Sequence, residues 1–298
     1  MRVAISFDYD SPVGYRESFS KASLHSAADV EGTDALLQVL AKHQVLATFA
    51  VVGNAALEGP APEHTPDQVR AIFDAGHEIA SHSMMHRFIP PMRTDELIQD
   101  LRASKETLEV CIGQAVRGFV PPFNRPFHFP EKGAISFSEM AGLHGRGRGR
   151  QSIDSMIQAL NATGFNWCRV SFQPALHTLM EKLGHPRATF PWQPFLWRGV
   201  VAMPLHNTGF GKAAVNLFHE YMNSDMLITL CGHPFQALDS FRVENNEHVD
   251  CLDQLLTTFE NERISGKLRF CTMAEAEASL RSPRKETIPS LSEIPDLR

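Results

Sequence analysis

The sequence has little of what marks disulfide-rich, membrane-spanning or nucleic-acid-binding proteins. Its 298 residues include only five cysteines, widely spaced and without a Cys-x-x-Cys pair, which argues against a disulfide framework or a thiolate zinc site and fits a reducing compartment. The longest apolar stretch, 36–52, is interrupted by Lys42, His43 and Gln44, so we expect no transmembrane segment. The formal net charge of -6 gives no reason to expect nucleic acid as a partner.

The composition is that of one large globular α/β domain. Short apolar runs alternate with amphipathic segments over residues 1–281, whereas residues 282–298 are polar and proline-bearing, which predicts an exposed C-terminal tail. The first residues enter a strand-like run directly, with Asp8 and Asp10 inside it. We therefore expect no signal peptide and a cytoplasmic location.

Periodicity predicts eight strands, with helices between them. The predicted strands are 3–7, 47–52, 77–80, 117–120, 165–170, 200–204, 226–230 and 268–270. The predicted helices are 34–43, 66–74, 95–112, 153–163, 212–222 and 249–262. This alternation indicates a parallel sheet with helices outside it, and eight strands in a chain of this length favour an irregular barrel over an open sheet.

Acids and histidines follow the first and third predicted strands. Asp8 and Asp10 are separated by Tyr9, so strand alternation aims both carboxylates to one side. His82 and His86 can bind one divalent metal together if their segment makes a helical turn. Taken singly, these patterns are also typical of loop acids and of chance pairs in a chain with 14 histidines.

Two further strand ends complete the set. Residues 118–124 run into a rigid turn because two prolines fix the direction of the chain, and the backbone N–H groups of Phe123 and Asn124 can face a site there. In residues 230–235 an apolar strand ends at His233, which stands between a glycine and a proline and for which a purely structural role is the alternative. In a barrel these ends meet at one mouth. Two histidines and a carboxylate leave metal positions open for water and substrate, as hydrolytic metals require.

The order and spacing of these motifs resemble the polysaccharide deacetylase family, also called the NodB-homology or carbohydrate esterase family 4 group. Residues 6–10, 81–86, 118–123 and 230–233 resemble its first, second, third and fifth motifs, and the likeness extends over about residues 2–280. The resemblance implies an irregular (β/α)7–8 barrel of the NodB-homology type. It also implies a metal-dependent deacetylase that hydrolyses carbon–nitrogen amide bonds.

The resemblance assigns a role to each motif residue. One divalent metal ion would be held by three side chains: Asp10, His82 and His86. Asp8 would be the general base, His233 the general acid, and the backbone N–H of Phe123 an oxyanion donor. Zinc is the metal that these ligand types favour, with iron, nickel, cobalt and manganese left open.

The sequence departs from the family pattern in three places. The usual first motif has adjacent acids, and the spaced form resembles a branch acting on varied N-acyl and cyclic amide substrates. Val120 stands where an arginine normally pairs with the base, for which Arg117 or Arg125 could substitute. The Asp-Trp fourth motif has its nearest match at Trp167, so the partner of the general acid is unassigned.

A Gly-Arg run at 145–150 suggests the substrate class. Arginines alternating with glycines suit a phosphate or pyrophosphate, and a flexible solvated loop is the alternative. Phosphate binding would make the substrate a nucleotide- or lipid-linked amino sugar. The predicted substrate-binding residues are Asn124, Arg125, Arg146, Arg148 and Trp167.

The leading hypothesis is removal of an N-acyl group, N-acetyl above all, from an amino sugar in intracellular glycan biosynthesis. The first alternative keeps the site and changes the substrate to a cyclic amide or ureide. The second is a non-catalytic carbohydrate-binding relative, suggested by the missing third-motif arginine.

Overall fold

The structure of the protein is a computed structural model, and it describes residues 1–18, 27–124, 151–170, 193–239 and 246–281. These residues form ten strands: β1 (Arg2–Tyr9), β2 (Thr48–Val51), β3 (Glu78–Ser81), β4 (Gly118–Phe119), β5 (Trp167–Val170), β6 (Phe195–Trp197), β7 (Val200–Pro204), β8 (Asn207–Thr208), β9 (Leu227–Gly232) and β10 (Arg269–Cys271). The same described part of the chain contains nine α-helices: α1 (Ser11–Ser18), α2 (Ala28–His43), α3 (Pro66–Asp74), α4 (Thr94–Ile112), α5 (Ile153–Thr163), α6 (Lys212–Tyr221), α7 (Val249–Thr258), α8 (Glu260–Ile264) and α9 (Met273–Arg281).

The strands form an irregular barrel of mainly parallel strands. Their order is β6-β7-β5-β4-β3-β2-β1-β9-β8, with β10 beside the first half of β1 and β6 antiparallel to β7. β7 pairs with β5, and β8, which is separated from β7 by two residues, pairs with β9. One bent stretch of chain therefore joins both ends of the parallel series, and the predicted irregular barrel is confirmed.

The helices differ from the predicted ones in their bounds and, at the start of the chain, in number. α3 and α5 have the predicted bounds, whereas α1 lies in a stretch for which the sequence predicted no helix. Helix α2 begins at Ala28 rather than 34, and the predicted helix 249–262 is divided into α7 and α8 at Phe259. Among the described residues, no helix has the length and apolar character needed to cross a bilayer.

The barrel interior is filled near its amino-terminal end by Trp167. Alanines at 4, 50 and 80 leave room for the indole, and a side chain on Gly118 would meet its ring at 1.9 Å. The Trp167 side chain is fully buried, and its Nε1 donates to Glu78 Oε1 at 3.1 Å, at the start of β3. The prediction that Trp167 contacts substrate is therefore wrong, because the indole packs at the opposite end from the strand carboxyl termini.

Glu78 closes this amino-terminal end of the barrel. Its Oε2 accepts from Thr48 Oγ1 at 2.7 Å and from the backbone N–H of Ala274, in α9, at 2.9 Å. Burial raises the pKa of Glu78 from an ordinary 4.5 to about 7, against the lowering effect of these hydrogen bonds. The fold therefore favours the protonated carboxyl.

Glu78 should make the free energy of unfolding fall as pH rises. Because the pKa of Glu78 is raised in the folded state, its contribution is complete below pH 4.5 and is lost as pH rises through about 7. From pH 5 to pH 8 the wild type should lose on the order of 2 kcal/mol relative to Glu78→Gln, which does not titrate. Urea unfolding of both proteins across this range measures the difference, and parallel pH profiles would contradict it.

Candidate metal centre

The two acids at the end of β1 both face the barrel mouth, as the alternation predicted. Asp8 and Asp10 are buried, at 2% and 3% exposure. Tyr9 between them packs in the outer core, where its hydroxyl makes a 2.8 Å hydrogen bond with Thr65 Oγ1. The residue that separates the acids thus anchors the strand end to the start of α3.

His82 and His86 converge, but their segment does not make a helical turn. The segment after β3 is an irregular bend in which Ser83 and His86 have left-handed backbones, with φ 65 and 53. The two imidazole centroids are 4.9 Å apart. The two histidines therefore meet without the helical turn that their spacing suggested as the way to bring them together.

The three predicted ligands form one compact cluster. Their ligand atoms all lie within 4.8 Å of one another. Asp10 Oδ1 is 3.3 Å from His82 Nε2 and 3.4 Å from His86 Nε2, and it is a buried oxygen without a hydrogen-bond partner among the described residues.

The protonation of the cluster fits a cation. His82 Nδ1 lies 2.8 Å from the carbonyl oxygen of Val120, which can only accept, so Nδ1 carries a proton and Nε2 is the ring nitrogen that faces Asp10. Burial lowers the pKa of His86 to about 4, against the opposing charge of Asp10, so this imidazole is neutral near pH 7. Lone pairs facing an unsatisfied carboxylate oxygen form a donor set for a divalent metal.

Helix α1 lies directly against this cluster. A side chain on Gly14 would meet Asp10 Cβ at 2.7 Å and His86 Cγ at 3.0 Å. Only glycine therefore allows the first turn of α1 to pack onto the two ligands.

Asp8 is paired with Arg169, a fully buried arginine of β5. Arg169 Nη1 donates to Asp8 Oδ1 at 2.8 Å, and Nη2 donates to Asp8 Oδ2. Burial alone would raise the pKa of Asp8, but the charge of Arg169 holds it below its usual range. Arg169 thus pairs with the acid in place of the missing arginine at Val120. Arg117, one of the two suggested substitutes, is exposed on the surface, and Arg125 lies outside the described residues.

All five N–H groups of Arg169 have acceptors. Besides Asp8, Nη1 donates to Ser6 Oγ at 3.0 Å and lies 3.2 Å from Cys231 Sγ. Nε and Nη2 donate to Asn124 Oδ1 at 3.0 and 2.7 Å. The Asn124 oxygen, predicted to contact substrate, is therefore used to hold Arg169.

His233 faces Asp8 across the mouth. Its Nε2 is 4.0 Å from Asp8 Oδ2, and its Nδ1 is 2.7 Å from Glu247 Oε2, which also accepts the backbone N–H of His233 at 2.7 Å. Burial opposes protonation, but Glu247, with Asp10 and Asp8, raises the pKa of His233 to about 10. His233 is therefore protonated at neutral pH, with Glu247 as the partner that the sequence left unassigned.

The ring of Phe123 packs against the metal-ligand cluster. The ring packs edge-on against His86 with centroids 4.8 Å apart, and the residue has a left-handed φ of 59. The remaining predicted substrate residues, Arg146 and Arg148, lie outside the described residues together with Arg125.

Sequence reasoning missed Arg169 and Glu247. For Arg169 a signal existed, since a charged residue inside the apolar run Trp167–Val170 is unusual in a buried strand. Glu247 precedes α7 and lies 14 residues from His233, with no motif to mark it.

The protein is thus an irregular (β/α) barrel. Its mouth holds a candidate metal cluster of Asp10, His82 and His86, and beside it the pair of Asp8 and His233. Residues 2–127 match the family model described as polysaccharide deacetylase. The chitooligosaccharide deacetylase of Sinorhizobium fredii is 30% identical over 139 residues, covering 44% of this chain and 60% of that protein. The matched part of the chain covers between 27% and 60% of the length of these curated relatives. The resemblance to NodB-homology polysaccharide deacetylases is thereby confirmed.

Solved structures support the same fold. A protein from Mycobacterium smegmatis, assigned provisionally as a polysaccharide deacetylase, superposes with a TM-score of 0.61 at 19% identity, covering 97% of this chain and 94% of that one. Puue allantoinase superposes with a TM-score of 0.65 at 12% identity, covering 96% and 92%. At these identities the likeness concerns the fold alone.

Proposed function

We propose that this chain is a metal-dependent hydrolase that removes an N-acyl group, N-acetyl in the leading case, from an amino sugar. The observation that carries the proposal is the buried Asp10 Oδ1, which lacks a hydrogen bond in the described part of the chain and faces two imidazole Nε2 atoms. The Asp8–His233 pair beside this cluster supplies a base and an acid.

One divalent ion, zinc by preference and iron, nickel, cobalt or manganese by ligand type, would be held by Asp10, His82 and His86. When bound, it would supply Lewis-acid activation of a water molecule and of the acyl carbonyl. The neutral state of His86, and the contact of His82 Nδ1 with a backbone carbonyl, leave the Nε2 atoms of both residues facing Asp10 as candidate ligands.

The protein groups would manage the protons of amide hydrolysis. Asp8, kept ionised by Arg169, takes the proton from the water whose oxygen bonds to the acyl carbon. His233, held by Glu247, gives its Nε2 proton to the nitrogen as the C–N bond breaks. The products are a carboxylic acid and an amine. We assign the developing oxyanion to the backbone N–H of Phe123.

The sugar part of the substrate and the group attached to it are proposed on different grounds. The relatives are named chitooligosaccharide deacetylase and peptidoglycan-N-acetylglucosamine deacetylase, which favours an N-acetyl amino sugar. A nucleotide or lipid attached to the sugar, and a biosynthetic role in the cytoplasm, are proposed from the Gly-Arg run at 145–150 and from the five free cysteines.

The same site could hydrolyse a cyclic amide or ureide. The observation in favour is the spacing of the acids, since Tyr9 separates Asp8 from Asp10. The non-catalytic alternative loses its motivation, because Arg169 provides the pairing that the third motif lacks.

We expect the purified protein to contain about one equivalent of divalent metal and to release acetate from an N-acetyl amino sugar. His82→Ala should lose the metal and lower the turnover number by at least about a hundredfold, because a ligand and an ordered Nε2 are removed. Metal analysis and acetate release over a chitooligosaccharide, a nucleotide-linked N-acetyl sugar and a cyclic imide are the measurements.

The exposed His219 of α6 provides the control. His219→Ala should retain metal and activity. A metal-free wild type whose activity is unchanged by His82→Ala would refute the proposal, whereas turnover of the cyclic imide alone would select the second substrate class.

A further inference from the structure

The loop that carries His82 and His86 is held in a conformation that it would not adopt alone. Ser83 and His86 both have left-handed backbones, with φ 65 and 53. Such conformations are unfavourable for residues other than glycine and persist where surrounding contacts determine them. The contacts that impose this shape therefore also set the separation of the two imidazoles.

Helix α4 supplies two side chains to this loop. Asp100 Oδ2 accepts the backbone N–H of Met84 at 2.9 Å. Ser104 Oγ donates to the carbonyl oxygen of Ser83 at 3.0 Å and lies 2.8 Å from Ser81 Oγ. Both contacts reach the peptide groups between the histidines, and neither side chain is a member of the ligand cluster.

A second element holds the loop from the other side. The backbone N–H groups of Gly53 and Asn54 donate to the carbonyl oxygens of Ser83 and Met84 at 2.9 and 3.0 Å. A side chain on Gly53 would meet the Met84 sulfur at 2.6 Å and Ser104 Cα at 2.8 Å. The loop is thus clamped between residues 53–54 and α4, with no space for a larger residue at 53.

We propose that Asp100 and Ser104 are positioning residues that fix the His82–His86 geometry and thereby set metal affinity. This inference rests on the proposed metal-dependent function. Without the two α4 contacts, the left-handed residues relax toward ordinary backbone angles and the imidazoles separate. Metal binding then includes the unfavourable free energy of reordering the loop, which weakens the affinity.

Conservative and disruptive variants separate positioning from bulk stability. Asp100→Asn keeps an oxygen that accepts the Met84 N–H, whereas Asp100→Leu removes the acceptor at similar size. Zinc affinity should fall about 10–100-fold in Asp100→Leu and in Ser104→Ala, as for other residues that orient metal ligands. Asp100→Asn should remain within about threefold of the wild type.

The experiment is a competition titration of the metal-free full chain with Zn²⁺ and a chromophoric chelator. The absorption spectrum of the Co²⁺-loaded protein reports the ligand geometry independently of activity. Glu106→Leu, which removes an exposed carboxylate of the same helix, is the matched control and should leave affinity and spectrum unchanged. Unfolding midpoints of the metal-free proteins identify variants that fail to fold, in which case Ser104→Ala alone decides.

The outcomes separate this inference from the proposed function. Weak zinc binding and an altered cobalt spectrum in Asp100→Leu and Ser104→Ala, with recovery in Asp100→Asn, support it. A wild-type protein that binds zinc tightly, together with variants of equal affinity and spectrum, overturns the inference and leaves the proposed function intact. A wild-type protein that binds no metal overturns both.

Discussion

Replacing Arg169 with methionine is expected to lower the free energy of unfolding by about 3–5 kcal/mol, the usual cost of leaving a buried charge without its partner. The reason is that Asp8, at 2% exposure, receives both of its bidentate bonds from Arg169. Deacetylation should also fall to near background, because Asp8 loses its orientation and its ionised state. Urea unfolding and acetate release measure the two effects.

The double variant Asp8→Asn/Arg169→Met provides the test of cause. Removing the stranded charge should restore a large part of the lost stability without restoring activity. Arg169→Lys keeps the charge but lacks the planar fork that reaches Asp8 and Asn124 together, so it should remain impaired. Equal stability of the single and double variants would show that the charge pair is not the cause.

Replacing Glu247 with alanine is expected to reduce the turnover number on an N-acetyl amino sugar by about 10²–10⁴-fold, the usual contribution of general acid catalysis. Glu247 Oε2 accepts hydrogen bonds from both the backbone N–H and the Nδ1 of His233, and its charge is the largest of the contributions that raise the pKa of that imidazole against burial. Without Glu247, His233 loses its orientation, and the pKa of its imidazole falls. Steady-state kinetics measure the loss.

The leaving group distinguishes an acid from a structural role. An aryl acetate releases a phenolate that needs little protonation, so Glu247→Ala should retain most of the wild-type rate on that substrate. Glu260→Ala, which removes a half-exposed carboxylate that pairs with Arg263, serves as the control. Equal losses on the amide and the aryl ester would show that Glu247 supports the fold rather than proton transfer.

Local patterns predicted most of the barrel because they are properties of short segments. Helices α3 and α5 have the predicted bounds because Pro66 at the first position of α3, Gly164 directly after α5 and the apolar periodicity mark these segments in the sequence. Helix α1 was missed because its sequence is polar and short, and its position depends on the packing of Gly14 against Asp10 and His86. The bend at 82–86 could not be predicted from the four-residue spacing of the histidines, because its shape depends on contacts from α4.

The partners of the two catalytic candidates needed the fold. Arg169 and Asp8 are separated by 161 residues, and they meet because β5 and β1 face each other across the barrel interior. Trp167 was predicted to contact substrate because Asn166-Trp167 is the nearest match to the family's fourth motif, but its side chain lies buried in the barrel interior below Arg169.

The sequence by itself determined the strand-end motifs and their order, and hence Asp10, His82 and His86 as one candidate metal cluster. That was possible because parallel strands bring their carboxyl ends to one mouth. Only the tertiary structure decided what surrounds the cluster: Arg169 on Asp8, Glu247 on His233, and α4 on the histidine loop. The physical reason is that a buried charge needs a partner of opposite sign, but packing, not spacing in the chain, selects which residue supplies it.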